Sequence, residues 1–444
     1  MDRKPHHNKS VMIPSGRIAR LGHIGSMASN VAGNMMLGSL MQLGRGQRPV
    51  MKDLLLTPRN IERVTEQLSK MRGAAMKIGQ LVSMDTGDIL PPELAQIMSR
   101  LRDAAYAMPP KQLKQVLNEH LPDGWARLFR TFDVNPIAAA SIGQVHRVHL
   151  KDGRDLALKI QYPGVANSIG SDVANVGVLI KMSGLLPDGF ELAPYLEAAR
   201  QQLHDETDYI QEARQLIRFG QLLKDEPQFA VPAVHTDWSN SKILAMDYMA
   251  GGAIEDVAAE PQAIRNQVMT DLISLALSEL FEFGVMQTDP NFANYLYAPQ
   301  TRKIVLLDFG AVLKIDPRTA DKYRRLICAG LQGDTDDLMI AAQDMGVIDA
   351  TTGGAHRARI VQMIHQVFDM IRDGGAIDFT DQTLSKQLQA EGLALYKDGF
   401  LPPVLPVEIL LIQRKFAGLF LLGARLGAEV DVADILRAHS GIIR

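Results

Sequence analysis

The stretch that decides the fold is AAASIGQVHRVHLKDGRDLALKIQYPGV, residues 138–165. A loop of small residues leads into one strand, a turn at Asp152-Gly153 follows, and the return strand carries a single lysine, Lys159. Ala157 and Lys159 face the same side of that strand, because strand side chains alternate. A small residue beside a lysine leaves room for a flat base and lets the ammonium reach phosphates. The stretch therefore predicts a nucleotide-binding hairpin, with a half-exposed strand and a surface lysine as the alternative.

The loop fits the glycine-rich loop of protein kinases only at its end. That loop follows G-x-G-x-x-G-x-V, and Gly143 and Val145 match its last two fixed positions. Ala138 and Ala140 then stand at the two earlier glycine positions. Alanine reaches positive φ less easily than glycine, so we expect a stiffer loop over the phosphates. The predicted nucleotide-binding residues are Ala138, Ala139, Ala140, Ser141, Gly143, Val145, Ala157 and Lys159.

Further along the chain, HDETDYIQEARQLIRF, residues 204–219, predicts a helix rich in carboxylates. Asp208 and Glu212 are four residues apart and would share one face of that helix, whereas Glu206 would point to another side. A helix that presents a carboxylate to Lys159 would fix the position of the lysine. A solvated acidic face is the alternative for this stretch alone.

Two later stretches supply candidate catalytic and metal-binding groups. In QTDPNFAN, residues 287–294, Asp289 and Asn294 are spaced as in the kinase catalytic loop H-R-D-x-x-x-x-N, with Gln-Thr in place of His-Arg. Simple turn formation is the alternative there. In KIVLLDFG, residues 303–310, an apolar strand ends in D-F-G, which contains Asp308.

These elements occur together in the order of a kinase: loop, strand lysine, helix glutamate, D-x4-N and D-F-G. Each chemical role then has a residue. Lys159 is predicted to bind the α- and β-phosphates, Asn294 and Asp308 to bind Mg²⁺, and Asp289 to act on the attacking group. The sequence therefore predicts binding of ATP or ADP with Mg²⁺ by a kinase-like fold.

Composition limits the remaining choices. The 444 residues are 46% hydrophobic and 22% charged, which is typical of a globular protein with two or three domains. Cys328 is the only cysteine, which excludes a disulfide framework and a cysteine zinc site. The first residues lack the apolar run of a secretory signal, so we expect a cytoplasmic location. No basic surface interleaved with aromatic residues is evident, and nucleic acid is not expected as a partner.

The N-terminal part is basic, with twelve Lys or Arg against four Asp or Glu in residues 1–72. Residues 21–44 contain no Asp, Glu, Lys or Arg but are rich in Gly, Ser and Asn. A flexible or surface-packed leader and a segment that contacts anionic lipid are both compatible with this pattern, and a membrane-spanning helix is less so. From Thr57 the apolar spacing predicts a long amphipathic helix, followed by helices at 92–104 and 110–121.

Several of these motifs together resemble the UbiB (ADCK) family of atypical kinase-like proteins, over roughly residues 57–425. They are the K-x-G-Q of Lys77 to Gln80, the alanine-rich loop followed by LKIQYPGV, the E-x-D of Glu206 to Asp208, QTDPNFAN and LLDFG. The resemblance implies an altered nucleotide preference caused by the alanine loop. It also implies that Lys77 pairs with Glu206 or Asp208, which would place the helical extension with Gln80 where a peptide substrate normally docks.

The same resemblance implies that Glu212 is the partner of Lys159. Far more residues separate the two than in ordinary kinases, so helices inserted around 166–200 are expected. The predicted architecture is an α+β, bilobal protein-kinase-like fold with a helical N-terminal extension and nucleotide in its cleft. The predicted divisions are a leader at 1–56, the extension at 57–130, an N-lobe at 131–250 and a helical C-lobe at 251–444.

Three functions remain open. The resemblance implies an ATPase or small-molecule kinase that supports ubiquinone (coenzyme Q) biosynthesis at a membrane surface. Its partners would be membrane lipid, quinone-precursor lipids or the proteins of that pathway, with a homodimer also open. A protein kinase for Ser, Thr or Tyr is disfavoured because no A-P-E follows Gly310, where a turn and a helix are expected. A non-catalytic scaffold switched by nucleotide is disfavoured because Lys159, Asp289, Asn294 and Asp308 are all present.

Overall fold

The structure is a computed structural model, and it describes residues 73–75, 77–78, 108–140, 142–182, 192–373, 375–403 and 405–441. The predicted leader, most of the helix predicted from Thr57, and the helix predicted at 92–104 lie outside these residues. The described residues form two compact units. Unit 1 contains those up to Arg214 together with Ala233–Tyr248, and unit 2 contains Gln215–Pro232 and those from Met249 onward. The domain boundaries drawn from the sequence stay predictions.

The strands are numbered here in chain order. They are β1 (Phe129–Phe132), β2 (Ala138–Ala139), β3 (Gly143–Leu150), β4 (Asp155–Gln161), β5 (Phe229–Ala230), β6 (Ile243–Asp247), β7 (Gly252–Ala253), β8 (Val285–Gln287), β9 (Tyr295–Ala298), β10 (Lys303–Leu306), β11 (Val312–Lys314), β12 (Ile377–Asp378) and β13 (Glu429–Val430).

The α-helices are numbered in the same way. They are α1 (Pro110–His120), α2 (Val165–Met182), α3 (Ala193–Glu206), α4 (Tyr209–Leu222), α5 (Gln262–Ser278), α6 (Pro317–Gln332), α7 (Thr335–Asp344), α8 (Gly354–Asp373), α9 (Thr383–Lys397), α10 (Val407–Leu426) and α11 (Val432–Ser440). A π-helical turn, Glu279–Phe283, continues α5.

Unit 1 is organised around an antiparallel sheet with the order β1-β3-β4-β6, in which β2 also pairs with β3. Leu156, Leu158 and Ile160 alternate along β4 and are fully buried. They pack in one apolar cluster with Leu113 and Leu117 of α1. The predicted hairpin is therefore confirmed, and the face of β4 opposite these three side chains carries Ala157 and Lys159.

Helices α2 and α3 lie in the sequence between β4 and α4, where the resemblance implied inserted helices. Gly177 of α2 approaches Leu196 of α3 so closely that a Cβ on the glycine would overlap the leucine side chain. Such contact requires that the two helices pack tightly against each other. The expectation of inserted helices around 166–200 is confirmed.

The single helix predicted over 204–219 is wrong, because the chain breaks at Thr207-Asp208 between α3 and α4. The Thr207 hydroxyl donates to the carbonyl of His204 at 2.7 Å. The Asp208 carboxylate then accepts the amide N–H of Gln211 at 3.0 Å, which starts a new helix. Hydrogen bonds from short polar side chains to the backbone compete in this way with continuation of a helix. Asp208 and Glu212 therefore do not share the interior of one helix.

Unit 2 is largely helical within the described residues. Its main sheet has the order β5-β10-β9-β7, with β5 parallel to β10 and the other pairs antiparallel. β8 and β11 form a two-stranded ribbon, as do β12 and β13. Ile409 and Ile412 of α10 are buried in an apolar cluster with Leu280 and Met286. This apolar stretch near the C-terminus therefore packs in the core of unit 2.

The segment after the D-F-G differs in one respect from the predicted turn and helix. Val312–Lys314 first forms β11, which pairs with β8. The Asp316 carboxylate then accepts the amide N–H of Arg318 at 2.8 Å, and Pro317 occupies the first turn of α6. Among the described residues, no helix is both long and apolar enough to cross a membrane.

Gly143 tests the packing of the hairpin. A Cβ at this position would overlap the carbonyl oxygen of Ile160 on the neighbouring strand. We expect Gly143→Ala to lower the free energy of unfolding by about 1–3 kcal/mol, the usual range of overpacked sites. The matched change Gly170→Ala lies in α2, where a Cβ meets nothing within 4 Å, and should raise stability by about 0.5–1 kcal/mol. Urea unfolding of both variants measures this, and equal effects at the two glycines would contradict the packing.

His146 is a buried histidine on which the stability of unit 1 should depend as the pH changes. Its Nδ1 lies 2.8 Å from the carbonyl oxygen of Asp133, and its Nε2 lies 2.7 Å from the Nε2 of Gln144. Because a carbonyl only accepts, Nδ1 carries the proton of a neutral ring and Nε2 accepts from the amide. Burial lowers the pKa of His146 below its ordinary value of 6.5, against the hydrogen bond to Asp133.

Since the pKa is lower in the folded state, the contribution of His146 to stability is complete above the unfolded value and is lost as the pH falls. We expect unfolding midpoints of the wild type to decline between roughly pH 7 and 5, and His146→Gln to flatten this decline. His120→Gln, at an exposed histidine, serves as the control. An unchanged slope for His146→Gln would contradict the neutral buried ring.

Candidate functional site

The lysine of β4 is held by a carboxylate inside unit 1. The ammonium of Lys159 donates to Glu212 Oε1 at 2.7 Å, and the side chains of the two residues are only 8% and 1% exposed. An ion pair this deeply buried is stable only when its geometry is good. The structure thus brings together the two residues that the resemblance paired. It places the lysine on a sheet and its partner in the first turn of α4.

Tyr209, at the start of α4, links this ion pair to the loop. Its side chain is fully buried, and the Lys159 ammonium lies 5.3 Å from the centre of its ring. A Cβ on Gly143 would come within 3.0 Å of the Tyr209 hydroxyl oxygen. The sequence interpretation did not include Tyr209. Its place directly after the E-x-D motif was the available signal.

The K-x-G-Q motif contributes a second ion pair to unit 1. Lys77 is in a helical conformation, and its ammonium nitrogen lies 2.5 Å from Glu206 Oε1. The Lys77 side chain is only 4% exposed. Of the two partners that the resemblance implied, the structure therefore brings Glu206 to Lys77. Asp208 is exposed and caps α4 instead. Gln80 lies outside the described residues.

The described alanines of the loop stay out of the positive-φ region, as expected for alanine. Among described residues other than glycine, only Arg302 has a positive φ, so Ala138, Ala139 and Ala140 have none. Ala138 and Ala139 are extended and pair with Val145 and Gln144 of β3.

The absence of positive φ at these alanines agrees with the expectation for alanine, and the stiffer loop stays a prediction. Gly143 is needed for close approach to Ile160. Ser141 lies outside the described residues.

Asp289 follows β8 in unit 2 and lies against a buried arginine. Arg414 of α10 places Nη2 at 3.4 Å from Asp289 Oδ1, and the two side chains are 2% and 16% exposed. One turn further along α10, Gly418 packs on Pro290 so closely that a Cβ would overlap the proline ring. Helix α10 therefore supports the loop that carries the candidate catalytic carboxylate.

The two candidate metal ligands are joined through the backbone. The amide N–H of Leu307, which precedes Asp308, donates to the carbonyl of Asn294 at 3.0 Å. Asp308 Oδ1 accepts the amide N–H of Gly310 at 2.9 Å, which orients the carboxylate. A carboxylate and a side-chain amide oxygen are hard oxygen donors that suit Mg²⁺, which takes its other ligands from water and phosphates. The residues present therefore fit a Mg²⁺ ion bound with a nucleotide.

Another buried cation, Lys415, lies close to the loop that carries Asp289. Lys415 is adjacent to Arg414 and is 2% exposed. Burial acts to lower the pKa of its ammonium, but Glu279 and Tyr295 outweigh burial and raise that pKa above its usual value. Lys415 is therefore charged.

The sequence interpretation missed Arg414, Lys415 and Glu279. Each is a charged residue inside an otherwise apolar helical run, and that contrast was the available signal.

The comparisons with known proteins agree with this geometry. A family model described as the ABC1 atypical kinase-like domain matches residues 100–342. The mitochondrial atypical kinase COQ8 of Saccharomyces cerevisiae is 38% identical over 431 residues, which cover 97% of this chain and 86% of that protein. COQ8B of Rattus norvegicus is 36% identical over 431 residues, covering 96% and 80%. A solved structure of the Mycobacterium tuberculosis protein Rv3197 with erythromycin has a TM-score of 0.59 at 23% identity, covering 85% of this chain and 95% of that one.

The fold is thus an α+β kinase-like fold, as the sequence predicted, and the likeness to Rv3197 supports the fold alone. The match to the family model and the identity to COQ8 go further. The chain belongs to the ABC1 family of atypical kinases, the family of COQ8 and UbiB. The resemblance drawn from its motifs is confirmed.

The Lys159–Glu212 pair yields a stability prediction. Glu212→Leu leaves the Lys159 ammonium buried without this carboxylate, so we expect a loss of about 3 kcal/mol in the free energy of unfolding. In the double variant Lys159→Met/Glu212→Leu, apolar side chains replace both ions, and most of that loss should be recovered.

Calorimetric melting of both variants measures the difference. Glu197→Gln breaks the exposed pair with Arg200 and should change little. Equal destabilisation in the single and double variants would show that the ion pair is not the reason for the loss.

Proposed function

We propose that the protein is a Mg²⁺-dependent ATPase or phosphotransferase that supports ubiquinone (coenzyme Q) biosynthesis at a membrane surface. The observation that carries the proposal is the buried Lys159–Glu212 ion pair, because an ammonium fixed in this way is suited to hold phosphate oxygens. Because apolar side chains in place of such a pair are often neutral or stabilising, its presence favours a role in nucleotide chemistry over a role in stability.

Unit 2 supports the chemical step. Asp289 is the base: its carboxylate accepts the proton of the attacking water or hydroxyl while that oxygen bonds to the terminal phosphorus and ADP departs. Lys159 donates to phosphate oxygens and orients them. Asn294 and Asp308 would hold Mg²⁺, which would offset the phosphate charge. The Arg414 contact keeps the Asp289 side chain from turning away.

The pathway and the location rest on the family. COQ8 and COQ8B are named as mitochondrial proteins, and the family's link to coenzyme Q supports a role with lipid quinone precursors or the proteins that handle them. Residues 1–72 contain twelve Lys or Arg against four Asp or Glu. Such a basic excess supports peripheral contact with anionic lipid, since each cation near such a surface contributes about 1 kcal/mol.

Phosphate release from ATP tests the function. We expect turnover by the purified protein that requires Mg²⁺ and rises with vesicles containing anionic lipid compared with neutral vesicles. Asp308→Asn should reduce kcat by about 100-fold or more, because a ligand of the charge-offsetting ion is weakened. Asp321→Asn changes an exposed aspartate of α6 and is the matched control.

Two outcomes would redirect the proposal. Nucleotide binding without turnover, with either kind of vesicle, would favour a nucleotide-switched scaffold and remove the role of Asp289 as base. Turnover that neutral and anionic vesicles raise equally would preserve the ATPase and contradict the contribution of the basic N-terminal residues.

A further inference from the structure

A buried lysine lies beneath the loop that carries Asp289. The ammonium of Lys415 donates to the hydroxyl oxygen of Tyr295 at 3.0 Å and to Gln287 Oε1 at 3.2 Å, and it lies 3.4 Å from Glu279 Oε2. These are three acceptors for an ammonium that has three protons. The position of the charge is therefore fixed from three sides.

This ammonium decides which way the Gln287 amide points. Because an ammonium only donates, the amide oxygen faces Lys415, and the amide nitrogen is turned toward the main chain of the catalytic loop. There it donates to the carbonyl oxygen of Asp289 at 3.0 Å. The backbone N–H of Gln287 donates to Glu279 Oε1 at 3.3 Å. Gln287 is thus held at its backbone and at both ends of its amide.

The backbone carbonyl of Asp289 is also close to the side chain of Asn294. The side-chain nitrogen of Asn294 lies 3.5 Å from that oxygen, and Tyr295, the next residue, accepts from Lys415. A single buried charge is therefore connected to the backbone of the candidate base and, through the chain, to a candidate metal ligand.

Stability alone does not account for this arrangement. Replacement of a buried ion pair by uncharged side chains of similar volume is often neutral or stabilising. Glu279 and Lys415 are only 1% and 2% exposed, so water contributes little to the solvation of either charge. The Lys415 ammonium, and at 3.4 Å the Tyr295 hydroxyl, donate to Gln287 Oε1 and so fix the direction of the amide, which apolar groups cannot do.

We propose that Lys415 is a positioning residue for phosphoryl transfer, acting through the Gln287 amide on the backbone of Asp289. The inference rests on the proposed function. It assigns Gln287, which stands where the kinase H-R-D motif has histidine, the task of holding the catalytic loop. Lys415 itself touches no substrate. Loss of this positioning would displace the Asp289 carboxylate, and a displacement of about 1 Å can reduce a rate by about 100-fold. We therefore expect a change at Lys415 to lower kcat and to leave nucleotide binding unchanged.

The first test is Gln287→Glu, which keeps an oxygen toward Lys415 but puts an acceptor against the Asp289 carbonyl. We expect kcat for ATP to fall about tenfold or more, with the KM for Mg-ATP and the nucleotide Kd within about twofold of wild type. Gln413→Glu makes the same change at an exposed position of α10 and should leave kcat unaltered. A kcat for Gln287→Glu within about twofold of wild type would overturn the proposal.

The second test removes the charge without leaving its partner ionised. Lys415→Met alone could unfold the protein, since Glu279 would stay buried without its cation. The double variant Glu279→Gln/Lys415→Met keeps the side-chain volumes nearly unchanged. It also keeps an oxygen at residue 279 that can accept the backbone N–H of Gln287. We expect it to melt near the wild-type temperature, to bind Mg-nucleotide normally and to lose about tenfold in kcat. Arg425→Met, which removes an exposed charge from α10, is the control.

Hydrogen exchange supplies a readout that needs no turnover. In the double variant, the amides of the peptide spanning residues 287–294 should exchange about tenfold faster or more, while peptides from α6 stay unchanged. If the wild type has no turnover but this exchange rises, the proposed function fails and the positioning by Lys415 stands. If exchange and kcat both stay at wild-type values in the folded double variant, Lys415 has no positioning role.

Discussion

Burial of the Lys159 ammonium is the constraint on which the described part of unit 1 depends. A cation inside an apolar lobe requires a carboxylate, and the carboxylate comes from Glu212, 53 residues away in the chain. The chain must therefore return to the sheet after α2 and α3, and it does so at the break before α4. Tyr209, directly after that break, fills the space between the ion pair and the backbone of Gly143. One electrostatic requirement thereby determines where a helix begins and how closely the hairpin can pack.

Unit 2 meets the same requirement with two cations on one helix. Arg414 and Lys415 are neighbours on α10, and they point to the side chain of Asp289 and to the amide that holds its backbone. Adjacent residues of a helix lie about 100° apart around its axis, so a single helix approaches the loop with two different contacts. Gly418, one turn away, lets the helix come close enough for both. Helix α10 consequently supports the loop that carries Asp289 as well as the core of unit 2.

Local pattern and spacing in the sequence predicted much of this arrangement. The alternation along β4 predicted the buried face and the lysine opposite to it. The spacing of Asp289, Asn294 and Asp308 indicated the kinase-like fold, and their catalytic and metal-binding roles stay predictions. The pairing of Glu279 with Lys415 could not be predicted in this way, because it joins two helical runs far apart in the chain that each resemble core. The break at Asp208 was missed for a different reason: the same side chain can cap a helix or lie within one, and the spacing of residues does not distinguish the two.

The loop contains positions where the backbone requires glycine and positions where a side chain is tolerated. Ala138 and Ala139 are extended and hydrogen-bonded to β3, a conformation that alanine and glycine both adopt without strain. Gly143, in contrast, lies where no Cβ can be accommodated beside Ile160. Glycine is thus retained where two backbones touch, and alanine is present where the backbone is free to carry a side chain. Because both alanines are exposed, their methyl groups lie on the surface of the loop.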